Sequence, residues 1–327
     1  MRRVRKGMMV MYIGIDLGGT NIAVGLVDEN GKIIAKDSTP TLSSRNYQEI
    51  VKDMADLSFK LIEKAGISVS DIKAAGIGSP GSVDSKNGVV HYANNLNFKN
   101  TPLRAELQKY INVPVAVEND ANAAAFGEYK ATGIESNCFV AITLGTGVGG
   151  GIVINGEIFR GFNGAAGEVG HTTLITDGIL CSCGKKGCWE AYASVTALIR
   201  QTKVAIEKHP ESLMVEIMKK NNNEVSGRTA FDAAKRGDSA AQQVVDQYVR
   251  YVADGITDMI NIFQPEILVI SGGISREGEY LVKPVREYVK ANGYNKGALP
   301  MTKIQAATLL NDAGIVGAAY AAELLAK

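Results

Sequence analysis

Short apolar runs broken by glycine-rich turns open the chain. Residues 11–15 form one run, 22–27 a second and 32–35 a third; Asp16-Leu17-Gly18-Gly19-Thr20-Asn21 separates the first two and Asp28-Glu29-Asn30-Gly31 the next. Runs of this length between turn residues predict strands, and Asn-Gly predicts a tight hairpin, so the opening reads as a β-meander. From 47 to 65 the period changes. Ile50, Met54, Leu57 and Leu61 recur at helical spacing and Gly66 stops the run, which predicts a helix. Strands are expected at 74–77 and 113–117, with a helix starting at Thr101-Pro102 between them. The second of these strands runs through Glu118-Asn119-Asp120 straight into a helix from Ala121. Residues 139–144, 152–154 and 157–160 then repeat the meander around the turns Gly145-Thr146-Gly147-Val148-Gly149-Gly150 and Asn155-Gly156. Strand, glycine turn, strand, Asn-Gly, strand occurs twice, which predicts a duplicated α/β fold. Helices are expected over 191–206, 211–220, 229–236 and 240–263. A strand over 267–270 should meet a third glycine turn, Ser271-Gly272-Gly273, and a small-residue helix over 312–325 can pack closely on the first domain.

Composition narrows the class. A chain of 327 residues has room for two domains and a large core, and 46% hydrophobic with 21% charged residues is the balance of a soluble globular protein. Thirty-five basic against 34 acidic residues leave +1, so no global field favours nucleic acid or an anionic membrane. No apolar run approaches bilayer length, and a cytoplasmic protein is expected. Arg2, Arg3, Arg5 and Lys6, followed by Met8, Met9 and Met11, read as a disordered leader or an upstream start rather than a targeting signal.

The glycine turns carry the first candidate chemistry. Gly18 and Gly19 let the backbone bend sharply and offer bare N–H groups to an anion, with Asp16 and Thr20 flanking it. Gly76, Gly78 and Gly81 match a dinucleotide fingerprint, as do Gly145, Gly147 and Gly150. Such a site needs a helix after its glycines. Pro80 and Ser82-Val83-Asp84 follow the first set, which reads as a ligand-facing loop, and an apolar strand and hairpin follow the second, so the dehydrogenase reading fails on local context. Asp120, between a strand and a helix, suits an N-cap and equally a general base held ionised by the helix dipole.

The second candidate is a metal site. His171, Cys181, Cys183 and Cys188 fall within eighteen residues, bracketed by Glu168 and Glu190. A Cys₃His set closes a tetrahedral zinc site with no open position, the pattern of a structural metal. A disulfide cluster belongs to small secreted domains, which this chain does not resemble. Cys138 is expected in a strand as a core residue, and His91 and His209 at the surface.

Asp16-Leu17-Gly18-Gly19-Thr20, Leu144-Gly145-Thr146-Gly147-Val148-Gly149-Gly150, Glu168-Val169-Gly170-His171, Cys181-Ser182-Cys183-Gly184-Lys185-Lys186-Gly187-Cys188-Trp189-Glu190 and Ser271-Gly272-Gly273, in this order, resemble the motif set of the ROK family of repressors, open reading frames and sugar kinases, nearest its bacterial glucokinases. The likeness runs from about Tyr12 to the C-terminus. It implies the two-lobed actin-like ATPase fold shared by sugar kinases, Hsp70 and actin, with a duplicated β-meander core and an interlobe cleft. The smaller α/β lobe would hold residues 1–118 and about 300–327, and the larger lobe, with the zinc, residues 119–299. It implies ATP-dependent phosphorylation of glucose to glucose 6-phosphate with Mg²⁺. Kinases for N-acetylmannosamine, fructose or allose share nearly every motif, and a non-catalytic sugar-sensing regulator is the reading from another class. Family repressors carry a DNA-binding domain ahead of the sugar domain, for which the eleven residues before Tyr12 are too few.

By the same resemblance Asp16, Gly18, Gly19 and Thr20 would form the first phosphate loop, with Asp16 near Mg²⁺, and Gly145, Thr146 and Gly147 the second. Gly272 and Gly273 would face the nucleoside. Asp120 would be the base that takes the sugar hydroxyl proton. Gly81, Asn95, Asn119, Glu168, His171 and Glu190 would contact the sugar, Asn95 being preferred to Asn94 because it directly precedes a leucine. His171 would then serve both metal and sugar. Where many members have Cys-Gly-Cys this chain has Cys181-Ser182-Cys183, which keeps every ligand. Relatives that dimerise or tetramerise imply a homo-oligomer.

Overall fold

The computed structural model describes residues 10–93 and 95–326; the basic leader and Asn94 lie outside them. The chain runs β1 (Met11–Leu17), β2 (Asn21–Asp28), β3 (Ile33–Pro40), α1 (Tyr47–Ala65), β4 (Ile72–Ser79), β5 (Ser82–Asp84), β6 (Val89–Ala93), β7 (Phe98–Thr101), α2 (Leu103–Gln108), β8 (Val115–Asn119) and α3 (Asp120–Ala131). It continues with β9 (Cys138–Leu144), β10 (Val148–Ile154), β11 (Glu157–Ile158), α4 (Glu190–Ala193), α5 (Val195–Lys208), α6 (Leu213–Lys220), α7 (Thr229–Ala234), α8 (Ser239–Phe263), β12 (Ile267–Ser271), α9 (Glu279–Asn292), β13 (Lys303–Ala306) and α10 (Ala313–Ala326).

The expected duplication is visible in two five-stranded sheets, ordered β3-β2-β1-β4-β8 and β11-β10-β9-β12-β13. Each begins as a meander and ends in parallel strands: β1, β4 and β8 in the first, β9, β12 and β13 in the second. Parallel neighbours need long crossovers, and α1 supplies the one between β3 and β4. Two compact units result. One comprises Met1–Glu135, Gly151–Gly167 and Asn311–Lys327, the other Ser136–Gly150 and Glu168–Leu310.

In the first unit the sheet is covered on both faces, so β1 reads as a continuous apolar run. Ile13, Ile15 and Leu17 join Ile50, Met54 and Leu61 of α1 in one core. Tyr12, Ala74 and Ala116 join Ile315 and Ala319 of α10 in another. The alternation follows from the period of two along a strand. The small residues of α10 permit very close approach: a Cβ on Gly76 would stand 1.8 Å from the Ala318 carbonyl oxygen. The last helix therefore does return to the first unit.

Local details depart from the sequence reading. The helix expected over 191–206 is broken at Ser194, whose extended backbone and side chain, accepting from Ala197 N, start a fresh helix there. Thr101 closes β7, and Pro102 is the residue before α2 rather than its first turn. Asp120 is not an N-cap. Asn119 takes that place, its side chain accepting from Ala121 N and Asn122 N, and Asp120 is the first helical residue. Cys138 is half-buried at the start of β9. The small sheet β5-β6-β7, α9 and β13 had no counterpart in the sequence reading.

Candidate active site

Parallel strands present their carboxyl ends at one edge, where α/β sheets bind ligands. In the first sheet Asp16 pairs in register with Gly78, and Ser79 with Asn119. Asp16, the loop through Gly81 and the pair Asn119-Asp120 therefore come to the same edge. Asn119 Nδ2 donates to the Gly81 carbonyl at 3.2 Å, and Asp120 Oδ1 accepts from Ala121 N at 2.8 Å. The first glycine turn closes with Gly18 N donating to Asn21 O at 2.9 Å, and Thr41 Oγ1 donates to Gly18 O at 2.7 Å. Thr20 is exposed beyond it, and Asn95 borders Gly19, since a Cβ on that glycine would be 3.0 Å from Asn95 Nδ2.

Two carboxylates at one edge repel. Burial, and then the Asp120 charge, raise the Asp16 carboxyl from 3.8 to about 6. Such a group wants a cation, and no Lys or Arg pairs with it among the described residues. The donor set thus fits Mg²⁺, a hard ion that takes one or two carboxylates along with phosphate oxygens.

The second unit repeats the device. Ser271 of β12 pairs with Thr143 of β9, so Gly145-Thr146-Gly147 and Gly272-Gly273 leave adjacent parallel strands at one edge. Gly272 has φ 85°, and a Cβ there would meet the Leu144 carbonyl oxygen at 2.2 Å, so only glycine fits. The second turn is pinned from α5, where Val195 N donates to Gly145 O at 2.8 Å and Thr196 Oγ1 to Thr146 O at 2.8 Å. A cavity of about 410 Å³ beside Gly273 is lined by Arg228, Lys235 and Arg276. Another, of about 290 Å³, is lined by Thr146, Gly147, Ser182 and Glu190.

The metal loop is built next to that second turn. His171 ends a short 3₁₀ turn, Val169–His171, and Cys188 pairs back across the loop with Thr173. One ligand atom each from His171, Cys181, Cys183 and Cys188 fall within 4.8 Å of one another. Cys183 and Cys188 Sγ are 3.6 Å apart, and Cys181 Sγ is 3.7 Å from His171 Nδ1. A zinc tetrahedron with ordinary bond lengths has edges of about 3.5–3.8 Å, whereas a disulfide needs about 2.05 Å. The backbone N–H of Lys185 holds the Cys183 thiol below its ordinary range. Burial and the neighbouring sulfurs push Cys188 up to about 12. Clustered thiols that resist joint ionisation are what a divalent cation relieves, so the residues fit zinc. Nδ1 of His171 faces the metal side, which leaves Nε2 for a second partner.

Glu190 joins the metal loop to the glycine turn. Its Oε2 accepts from Val148 N at 3.0 Å, and its Oε1 from Ser182 Oγ at 3.1 Å, with Cys181 Sγ at 3.6 Å. It starts α4 directly after Trp189, which is fully buried with its indole N–H donating to Tyr251 O at 2.8 Å. Burying such a side chain is worth roughly 1.5–3 kcal/mol and fixes the helix that aims Glu190. Glu168 is exposed, its carbonyl accepting from His171 N at 3.1 Å. No sequence pattern marks the Val148 N–H or gives Ser182 a role. The signal for Ser182 lay in its place between two ligands.

A family model for the ROK family matches residues 12–324. The chain is 36% identical over 314 residues to a glucokinase of Streptomyces coelicolor, covering 95% of this chain and 97% of the relative. It is 40% identical over 313 residues to a glucokinase of Thermotoga maritima, covering 94% and 95%. The crystal structure of a ROK family glucokinase from Streptomyces griseus in complex with glucose and AMPPNP superposes with a TM-score of 0.83 at 36% identity, over 96% of this chain and 99% of that one. The chain belongs to the ROK family, with the actin-like ATPase fold of its sugar kinases.

Proposed function

We propose that this protein is an ATP-dependent glucokinase that makes glucose 6-phosphate. The observation that carries the reading is the convergence of Asp16, at the end of β1, with Asn119 and Asp120, at the end of β8, on either side of β4. Near-full-length likeness to glucokinases, one of them bound to glucose and an ATP analogue, supports glucose and ATP as the substrates.

Phosphoryl transfer passes through a loose, charge-dispersed transition state, so the protein's work is positioning and electrostatic stabilisation. Asp120 accepts the proton of the sugar hydroxyl as that oxygen attacks the γ-phosphoryl group. Such a base need not be strong, because the proton moves late in a loose transition state. Gly81, Asn95, Asn119, Glu168, His171 and Glu190 hold the sugar hydroxyls, which favour carboxylate and amide partners in a desolvated site. Gly18 and Gly145 close their turns through their own N–H groups, to Asn21 O and Gly147 O, and so shape the two phosphate loops, in which the N–H groups of Gly19 and Thr20, and of Thr146 and Gly147, receive the phosphates; Gly272 and Gly273 face the nucleoside. Mg²⁺, when bound near Asp16, neutralises charge on the phosphoryl oxygens. His171, Cys181, Cys183 and Cys188 would hold zinc, which would fix the loop that ends in Glu190.

Glu190 extends the zinc loop's reach beyond the sugar. Because its carboxylate also receives Val148 N, the loop steadies the glycine turn over the transferring phosphate. The enzyme acts in the cytoplasm as a homo-oligomer, a dimer or tetramer, which light scattering reads. A hexose panel with ATP and Mg²⁺ tests the function. Glucose should give the highest kcat/KM; a clear preference for N-acetylmannosamine, fructose or allose would reassign the substrate, and no turnover with any sugar would replace the kinase with a sugar sensor.

A further inference from the structure

Glu118 immediately precedes Asn119 and Asp120, and it is a buried carboxylate, 2% exposed. Burying a carboxylate costs several kcal/mol unless it is paired and hydrogen-bonded. This one is fully engaged. Oε1 accepts from Asn119 N at 2.9 Å and Asn122 Nδ2 at 3.2 Å, and Oε2 accepts from Arg160 Nε at 2.7 Å and Ser85 Oγ at 3.3 Å. With about four lone-pair positions on a carboxylate, none remains to take a substrate proton. Glu118 is therefore not a rival base to Asp120.

Two of the four donors, Asn119 N and Asn122 Nδ2, belong to the strand end and first helical turn that carry Asp120. The charged donor comes from a separate segment, 42 residues on in sequence. Arg160 opens a loop that Ala166 N closes by donating to Arg160 O at 3.1 Å. The loop lies on β5, because a Cβ on Gly164 would be 2.7 Å from the Val83 carbonyl oxygen. Gly167 ends it, and the next residue is Glu168.

We propose that Glu118 and Arg160 are positioning residues for the transfer reaction: their part-buried ion pair fixes Asn119 and Asp120 and anchors the origin of the segment that runs to Glu168. This rests on the kinase reading above. A pair placed only for stability gains little over a well-packed apolar pair. Here the pair engages the backbone and side chain of the turn beside the base.

The test is R160M and R160K, with kcat and the KM values for glucose and ATP measured separately, and melting temperature recorded for each. A misplacement of about 1 Å can cost on the order of a hundredfold in rate. R160M should lose about tenfold or more in kcat and raise the glucose KM, with the ATP KM held within about twofold. R160K, which keeps a cation within reach of Oε2, should recover most of the loss. A purely structural pair would lower the melting temperature and leave the kinetic constants of the folded enzyme alone. R160M with kcat and glucose KM both within about twofold of the parent overturns the proposal. If R160M does not fold, S85A gives the same reading at smaller amplitude: a raised glucose KM supports the pair and an unchanged one overturns it. D120A keeps the two assignments separable, since near-normal D120A turnover overturns the base whatever R160M does.

Discussion

Replacing Asp16 with asparagine should make the ligand-free protein more stable. Burial and the Asp120 charge raise the Asp16 carboxyl from 3.8 to about 6. The native state therefore binds that proton more tightly than the unfolded chain, and stability falls as pH rises from about 4 to about 6, with the full cost standing above that window. At about 1.36 kcal/mol per pKa unit the gap amounts to about 3 kcal/mol at pH 7.5 and to about 1 kcal/mol at pH 4.5. D16N keeps the volume and removes the charge. At about 2–4 °C per kcal/mol, its melting temperature at pH 7.5 in EDTA should exceed the parent's by about 6–12 °C. By pH 4.5 the difference should shrink to about a third of that. Millimolar Mg²⁺ with an ATP analogue should stabilise the parent more than D16N, and D16N should lose most of its turnover. Calorimetry at the two pH values reads the melting temperatures, and a coupled assay the turnover. Equal melting temperatures at pH 7.5, or a gap that does not shrink at pH 4.5, would refute the account of a carboxylate strained for want of a cation.

Three further outcomes come from the metal loop. C188S should lower bound zinc, measured by plasma emission, and raise the glucose KM; zinc lost with unchanged kinetics would separate the metal from the sugar site. In E190Q only one acceptor oxygen remains for Val148 N and Ser182 Oγ. A charge-assisted hydrogen bond is worth about 1.5–3 kcal/mol, so kcat/KM for glucose should fall by about tenfold or more while zinc content stays whole. S182A removes only the exposed donor to Oε1 and should cost less than E190Q; a larger loss would mean that Ser182 acts other than through Glu190.

Much of the site was legible in the sequence because its chemistry is local. The four Cys₃His residues lie within eighteen residues, and spacing that short survives whatever tertiary context surrounds it. The duplicated meander was equally plain, since turn glycines and Asn-Gly act through backbone dihedrals. Asp120 suits an N-cap by sequence, but Asn119 takes that place, because its side chain accepts from both Ala121 N and Asn122 N. The break at Ser194 was hidden in a run that is helical on both sides. Arg160 and Glu118 were illegible, because a pair 42 residues apart has no period and neither residue type signals burial. The link from Glu190 to Val148 N is equally long in sequence and carries no pattern, and it changes the picture most, because it ties the Cys₃His loop to the second glycine turn.

The most direct measurement is the D120A variant assayed with ATP, Mg²⁺ and glucose beside a calorimetric titration of glucose binding. A positioned general base is worth about 10²–10⁴ in rate. D120A should therefore lose at least about a hundredfold in kcat while binding glucose with an affinity near the parent's. Turnover close to that of the parent, with glucose still bound, would contradict the assignment of Asp120 as the base and the mechanism built on it.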